Sequence, residues 1–166
     1  MARAPTDPTP NLWAAAAAGL VAGLAASLAM DLFQAGVAAL SSSSDSDAEP
    51  TTEKAADKVS QVVVGHEIPK DSKPFAGQVV HYALGAGLGV TYAVAAEYRP
   101  AVTAGYGTAF AAATTTLLDE TAVPAVGLGD APWKTSPTTH LYSAASHIVF
   151  GTVTEGMRRL LRGWLK

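Results

Sequence analysis

The chain has 166 residues, of which 49% are hydrophobic and only 15% are charged, and its formal net charge is −3. Soluble domains carry about 25% charged residues, so much of this protein's surface is expected to face something other than water. The small net charge and the lack of a basic stripe give no indication of nucleic-acid binding. Because the chain has no cysteine, disulfides, thiolate metal sites and cysteine nucleophiles are excluded.

Four stretches are nearly free of charge and approach the roughly 20 apolar residues that a membrane-spanning helix needs. They cover about 12–40, 75–97, 101–120 and 137–160. None shows the charged face at 3.6-residue spacing that a soluble helix presents. The predicted fold class is therefore all-α, an integral membrane bundle of four transmembrane helices, with a soluble Ala-rich bundle as the alternative. The first stretch is too long for the apolar part of a signal peptide, so an uncleaved first helix is favoured.

The remaining residues form polar connections and tails around this single domain. The predicted boundaries are an N-terminal tail at 1–11, the transmembrane domain at 12–162, a connection inside it at 41–74, and a C-terminal tail at 163–166. Within the connection, apolar side chains recur on one face of a short amphipathic helix, namely Ala55, Ala56, Val59, Val62 and Val63. Gly65 is predicted to end this helix.

Basic residues next to the helix ends predict the orientation. Four spans place both termini on one side of the membrane, and the dense basic run "RRLLRGWLK" follows the fourth span. The positive-inside rule therefore places both termini in the cytoplasm. The expected partners are the lipid bilayer and either a second copy of the chain or another membrane protein, and no nucleic acid is expected.

Six ionisable side chains are predicted to meet in the outer half of the bundle: Asp31, His81, Asp119, Glu120, His140 and His147. An ionisable group in hydrocarbon normally faces the interior and pairs. Three interpretations stay open: hydrogen bonding that joins the helices, a metal site, or a proton or cation path through titrating imidazoles. The cofactor is left unknown. Imidazole and carboxylate ligands on facing helices suit zinc, iron or copper, so a divalent transition metal is the candidate.

A second charged cluster is predicted at the inner end: Glu97, Arg99, Glu155, Arg158 and Arg159. Salt bridging is the expected role there, because Glu155 and Arg158 are three residues apart on one helix. His66, in "GHEIP", is predicted to be a solvated loop residue. No catalytic motif is present, since "GAGLGV" lies within a predicted helix and lacks a preceding strand. A protein that is not an enzyme is favoured over a metal-dependent intramembrane enzyme.

The motifs "HYALGAGLGVTYAVAAEYRP", "VPAVGL", "PW" and "HIVFGTVTEGMRR" resemble the YagU-like family of bacterial inner-membrane proteins of unknown function. The resemblance runs from about residue 75 to 162, and "EKAADKVSQVVVGHEIP" is included. It rests on His81, Tyr92, Glu97, Pro100, Pro124, Gly127, Leu128, Pro132, Trp133, His147, Glu155, Arg158 and Arg159. It implies a small helical protein of the bacterial inner membrane, and it implies no reaction.

The leading functional hypothesis is a small inner-membrane protein, not an enzyme, with an intramembrane His/carboxylate site that binds a metal ion or relays protons. The alternative is a membrane scaffold or accessory subunit. In that alternative the Gly-, Ala- and Thr-rich helix faces pack against a partner, and the buried histidines are only structural.

Overall fold

The computed structural model describes residues 11–41 and 49–164. Over these residues the chain is helical and contains no β-strand, which confirms the predicted all-α class. The helices are α1 Leu12–Leu40, α2 Thr51–Val63, α3 Lys73–Tyr98, α4 Thr108–Thr114, α5 Val123–Ala125 and α6 Pro137–Trp164. A π-helical segment, Thr115–Ala122, joins α4 to α5, and short 3-10 turns lie at Lys70–Ser72, Pro100–Thr103 and Pro132–Lys134.

α1 is the central helix, because it packs against both α3 and α6. Its buried face consists of small residues at helical spacing: Ala15, Ala18, Gly19, Ala22, Gly23, Ala26 and Ser27. A β-carbon on Gly19 would overlap the carbonyl oxygen of Gly89, and one on Gly23 would overlap that of Gly85. α1 and α3 therefore approach backbone to backbone, as small residues permit in membrane helices.

Two helical segments are long and apolar enough to cross a membrane: Leu12–Leu40, near the N-terminus, and Lys70–Tyr98, which is α3 with its preceding turn. A core helix of a soluble protein and a signal sequence meet the same criterion of length and composition. Among the described residues the other two predicted spans do not meet it. The prediction of four membrane-spanning helices is therefore not confirmed.

The predicted third span, 101–120, has a different structure. Three consecutive residues have positive φ angles of 62°, 56° and 88°, namely Gly105, Tyr106 and Gly107. A left-handed backbone cannot continue an α-helix, so α4 begins only at Thr108. Gly107 also lies against α6, where a β-carbon would overlap the carbonyl oxygen of Gly151. This close approach fixes where the chain turns.

The amphipathic helix predicted in the first connection is present as α2, and it packs on α3. Gly65, with φ 86°, follows its end, and the Gly65 amide donates a 3.1 Å hydrogen bond to the carbonyl oxygen of Ser60. This left-handed glycine satisfies a carbonyl at the helix end, as predicted.

An ion-pair cluster fastens the first connection to the start of α3. The Lys73 ammonium bridges Glu49, at 2.7 Å, and Asp57. The backbone N–H of Ile68 donates a 2.8 Å hydrogen bond to Asp57 Oδ1. First Lys73 and then this N–H stabilise the carboxylate, so the pKa of Asp57 lies below its ordinary value. The cluster holds α2 beside the cavity described next.

Candidate functional site

A cavity of about 870 Å³ lies between α1, α3, α6 and the π-helical segment. Its lining includes the buried side chains of Ser27, Ser146 and Phe150 at the deep end. The exposed residues Glu49 and Lys134 lie at its mouth. All six of the ionisable side chains that the sequence grouped together line this one cavity.

The first His–carboxylate pair joins α1 to α3. His81 Nε2 lies 3.1 Å from Asp31 Oδ1, and the Gln78 side-chain amide donates a 2.6 Å hydrogen bond to Asp31 Oδ2. The His81–Asp31 contact is poorly aligned, because this buried Nε2 has no hydrogen-bond partner among the described residues. His81 Nε2 therefore faces the Asp31 carboxylate without a well-aligned hydrogen bond to it.

The second pair joins the π-helical segment to α6. His140 Nδ1 lies 2.6 Å from Glu120 Oε1, and its Nε2 lies 3.0 Å from the carbonyl oxygen of Pro132. A carbonyl oxygen only accepts hydrogen bonds, so Nε2 carries a proton. The short contact to Glu120 needs a second proton between the two groups. The geometry therefore holds a proton shared between His140 and Glu120 in addition to the one on Nε2.

The third pair is formed by Asp119, which directly precedes Glu120, and His147. His147 Nδ1 lies 3.0 Å from the carbonyl oxygen of Ser143 and 3.5 Å from Asp119 Oδ2. The Ser143 hydroxyl donates to the same Asp119 oxygen. Because both neighbours of Nδ1 are acceptors, Nδ1 carries the proton, and Nε2 of the neutral ring is an acceptor.

The π-helical backbone explains how two adjacent carboxylates both reach α6. Asp119 and Glu120 lie within Thr115–Ala122, where each turn contains more residues than in an α-helix. Successive side chains are therefore separated by a smaller angle around the axis, and both contact one neighbouring helix. π-helical segments occur frequently at functional sites.

The six predicted residues thus form three separate pairs within one cavity. Over the described residues there is no group of three or more His, Cys, Asp or Glu side chains that could hold a metal ion. The hypothesis of a zinc, iron or copper site receives no support from this geometry. The six residues that the sequence grouped lie around one cavity, but the sequence did not predict which carboxylate pairs with which imidazole.

Sequence reasoning missed three polar residues of the cavity. The hydroxyls of Ser27 and Ser146 are buried, with 0% and 1% of each residue exposed, and neither has a hydrogen-bond partner among the described residues. The Gln78 side-chain amide donates a hydrogen bond to Asp31. A signal for Ser27 and Gln78 was present, since Ser27 lies four residues before Asp31 and Gln78 three before His81, on the same helix faces.

At the inner end, Glu155 is fully buried, with 0% exposed. The Tyr92 hydroxyl donates a 2.9 Å hydrogen bond to it, and Arg158 donates bonds of 2.7 and 3.0 Å. Arg159 donates a further one, and its guanidinium lies 4.8 Å from the centroid of the Tyr106 ring. Four hydrogen bonds from three side chains therefore satisfy this carboxylate.

Two other members of the predicted inner cluster make no hydrogen bond to Glu155 or its partners. Glu97 pairs with Arg162 through two 2.9 Å hydrogen bonds, and Arg162 was not in the predicted set. Arg99 is exposed and has no ion pair among the described residues, because it follows the last turn of α3, where the chain leaves the helix. His66 is an exposed loop residue, as predicted.

Comparison with known proteins gives a family and nothing more specific. No curated protein and no solved structure matches the chain. Residues 53–156, well over half of the chain, match DUF1440, described as a protein of unknown function. The match covers both the second and third His–carboxylate pairs, and it omits Asp31. The chain therefore belongs to the DUF1440 family of proteins of unknown function.

Proposed function

We propose that this protein is a small membrane protein, not an enzyme, that takes up and releases protons in its cavity. One observation carries the proposal: three His–carboxylate pairs line a single cavity, namely Asp31–His81, Glu120–His140 and Asp119–His147. Imidazole is the side chain whose charge ordinarily changes near neutral pH, and a neighbouring carboxylate stabilises its charged form.

The arrangement suits protons better than a metal ion. A protein metal site usually has three or four ligands that converge on one point, whereas each carboxylate here is paired with one imidazole. A proton needs only a donor and an acceptor in hydrogen-bonding distance. The 2.6 Å contact between His140 and Glu120 is such a pair, and Ser143 adds a hydroxyl between α6 and Asp119.

We propose that the protein is embedded in a lipid bilayer. α1 exposes large apolar side chains opposite its buried face of small residues: Leu20, Val21, Leu24, Leu28 and Leu32. Only 39% and 22% of the most apolar windows of the two candidate spans are buried within the protein, whereas the core helix of a soluble protein would be mostly buried. We further propose that α6 and the helical stretch from α4 to α5 cross the membrane beside α1 and α3.

The cellular location is also a proposal. The likeness to YagU-like proteins supports the bacterial inner membrane. The basic residues near the C-terminal end of α6, Arg158, Arg159 and Arg162, support a cytoplasmic position for both termini under the positive-inside rule.

The scaffold alternative has less support. It needs free Gly- and Ala-rich faces for a partner, but the small residues of α1 and α3 already pack against each other. Gly19 and Gly23 on α1 contact the backbone of Gly85 and Gly89 on α3. The small-residue faces at the α1–α3 contact are therefore occupied within the chain.

Proton uptake tests the proposal. The purified protein in lipid nanodiscs is titrated from about pH 8 to about pH 5, the range in which imidazole ordinarily gains its charge. Wild-type protein should bind more protons than the triple variant His81→Gln, His140→Gln, His147→Gln. The matched control His66→Gln, outside the cavity, should differ from wild type by less than the triple variant does. Equal uptake by wild type and the triple variant would rule the proposal out.

A further inference from the structure

The deep end of the cavity contains two serine hydroxyls that make no hydrogen bond to the described part of the protein. Ser27 and Ser146 are buried there, and neither hydroxyl oxygen has a partner among the described residues. Native proteins satisfy nearly all buried polar groups, so two such hydroxyls in one cavity call for an explanation. Gly85 makes room for Ser27 Oγ, since a β-carbon at that position would overlap it.

The charges of the lining favour a cationic ligand while the imidazoles are neutral. Five carboxylates line the cavity: Asp31, Glu49, Asp119, Glu120 and Asp130. Two lysines, Lys54 and Lys134, oppose them. Glu49 is paired with Lys73, at 2.7 Å, so its charge is already balanced. The other four carboxylates outweigh the two lysines, and the wall is negative when the three histidines are neutral.

The size and the apolar part of the lining indicate an organic ligand. A cavity of about 870 Å³ lies in the range of pockets that hold small organic molecules, about 300–1,000 Å³. Leu88, Leu118 and Phe150 line it together with the polar groups. The lining therefore combines three kinds of group: hydroxyls that can hydrogen-bond, acidic side chains and apolar side chains.

The positions of these groups along the helices give the orientation. Asp31 lies one helical turn from Ser27 on the same face of α1, and His81 lies one turn from Gly85 on the same face of α3. Hydroxyl oxygens that accept hydrogen bonds, with a carboxylate one turn away, are suited to an N–H-bearing cation. A quaternary cation has no hydrogen to donate to them.

We propose that the cavity binds an amphipathic organic ammonium ion of the primary or secondary class. Its N–H groups donate to Ser27 and Ser146, its charge faces Asp31 and Asp119, and its apolar body packs against Phe150. This inference rests on the proposed function, because the ammonium ion faces the same carboxylates that pair with the proton-binding imidazoles.

Isothermal titration calorimetry of the full chain in lipid nanodiscs, with empty nanodiscs subtracted, tests this inference. The probes are benzylammonium, its neutral analogue benzyl alcohol, and benzyltrimethylammonium, which has the charge but no N–H. Benzylammonium should bind at least about tenfold more tightly than either analogue. Equal affinity for benzylammonium and benzyl alcohol, or no binding of benzylammonium, would overturn the inference without any variant.

Variants locate the binding groups. Ser27→Ala combined with Ser146→Ala should weaken benzylammonium about tenfold and leave benzyltrimethylammonium unchanged, because only the former donates hydrogen bonds. Ser72→Ala is the matched control, since Ser72 is exposed and lies outside the lining, and it should change neither. Unchanged benzylammonium affinity in the double variant would overturn the assignment.

The two proposals fail separately. If the triple histidine variant loses proton uptake but wild-type protein does not bind benzylammonium, the ammonium inference is wrong and the proton-binding function stands. If benzylammonium binds as expected while proton uptake is unaffected by the histidines, the cavity is a cation site and the proton proposal is wrong.

Discussion

The cavity and the inner end of the protein contain the same kinds of residue but differ in how completely they are satisfied. Glu155 is fully buried and accepts hydrogen bonds from Tyr92, Arg158 and Arg159. In the cavity, the side chains of His81 and Asp31 are 21% and 29% exposed, and two buried serine hydroxyls have no hydrogen-bond partner within residues 11–41 and 49–164. A hydrogen-bond network in which every buried polar group has a partner holds the helices in place. A network in which some groups lack a partner can still bind a proton or a ligand.

Removal of Glu155 is the strongest test of this contrast. Glu155→Ala should lower the free energy of unfolding by about 3–5 kcal/mol, because it leaves the buried Tyr92 hydroxyl and the largely buried Arg158 guanidinium without their partner. Unfolding in mixed detergent micelles measures the loss. Glu97→Ala is the matched control and should cost less, since the side chains of Glu97 and Arg162 retain 16% and 18% exposure. Equal losses of unfolding free energy in the two variants would show that the hydrogen bonds to Glu155 do not stabilise the protein more than the Glu97–Arg162 pair does.

The contact between α1 and α3 should be nearly as sensitive. Gly89→Ala places a β-carbon on the carbonyl oxygen of Gly19, and such overpacking costs about 1–3 kcal/mol. Gly87→Ala, two residues away on the same helix, meets no atom within 4 Å and should gain up to about 1 kcal/mol from helix propensity. The same unfolding measurement compares them. Similar values for the two variants would contradict the close approach.

Asp57 gives a smaller, pH-dependent effect outside the cavity. Lys73 and the Ile68 N–H lower its pKa below the ordinary value of an aspartate, so its stabilisation is present above that ordinary value and is lost as the pH falls through the lower folded-state pKa. Asp57→Asn should therefore lower Tm at neutral pH, and the difference from wild type should vanish in acid.

Thermal unfolding as a function of pH measures the Asp57 effect. Asp71→Asn is the control, because Asp71 is exposed and makes no hydrogen bond among the described side chains. A Tm difference for Asp57→Asn that is independent of pH would show that the Lys73 pair does not stabilise the carboxylate.

The smallest change in stability is expected within the cavity itself. Asp31→Asn should alter the free energy of unfolding by no more than about 1 kcal/mol, because partly exposed ion pairs contribute little and the asparagine side-chain oxygen can still accept the hydrogen bond that the Gln78 amide donates. Unfolding of this variant is compared directly with that of Glu155→Ala. A loss as large as that of Glu155→Ala would mean that the cavity pairs are structural, and would remove the contrast between the two regions.

The comparison also shows which parts of the site could be foreseen. Asp31 and His81 were grouped from their depth in two apolar helices, and they lie 3.1 Å apart. The partner of Glu97 was missed, because Arg162 lies one turn beyond Arg158 and only the relative rotation of α3 and α6 selects it. The pairing of Asp119 with His147, and of Glu120 with His140, likewise depends on the π-helical segment, which no sequence pattern indicated.

The sequence by itself determined the all-α class, the first long apolar helix, the amphipathic α2 with its terminating Gly65, and the scarcity of charge that forces ionisable groups to pair. These properties follow from local propensity and from the cost of leaving a charge unpaired in apolar surroundings. Only the tertiary structure decided that three pairs form instead of one metal cluster, and that Ser27 and Ser146 share a cavity with them. Those outcomes depend on the positions at which glycine lets two helix backbones approach closely. These positions are set by the packing of helices that are distant from one another in the sequence.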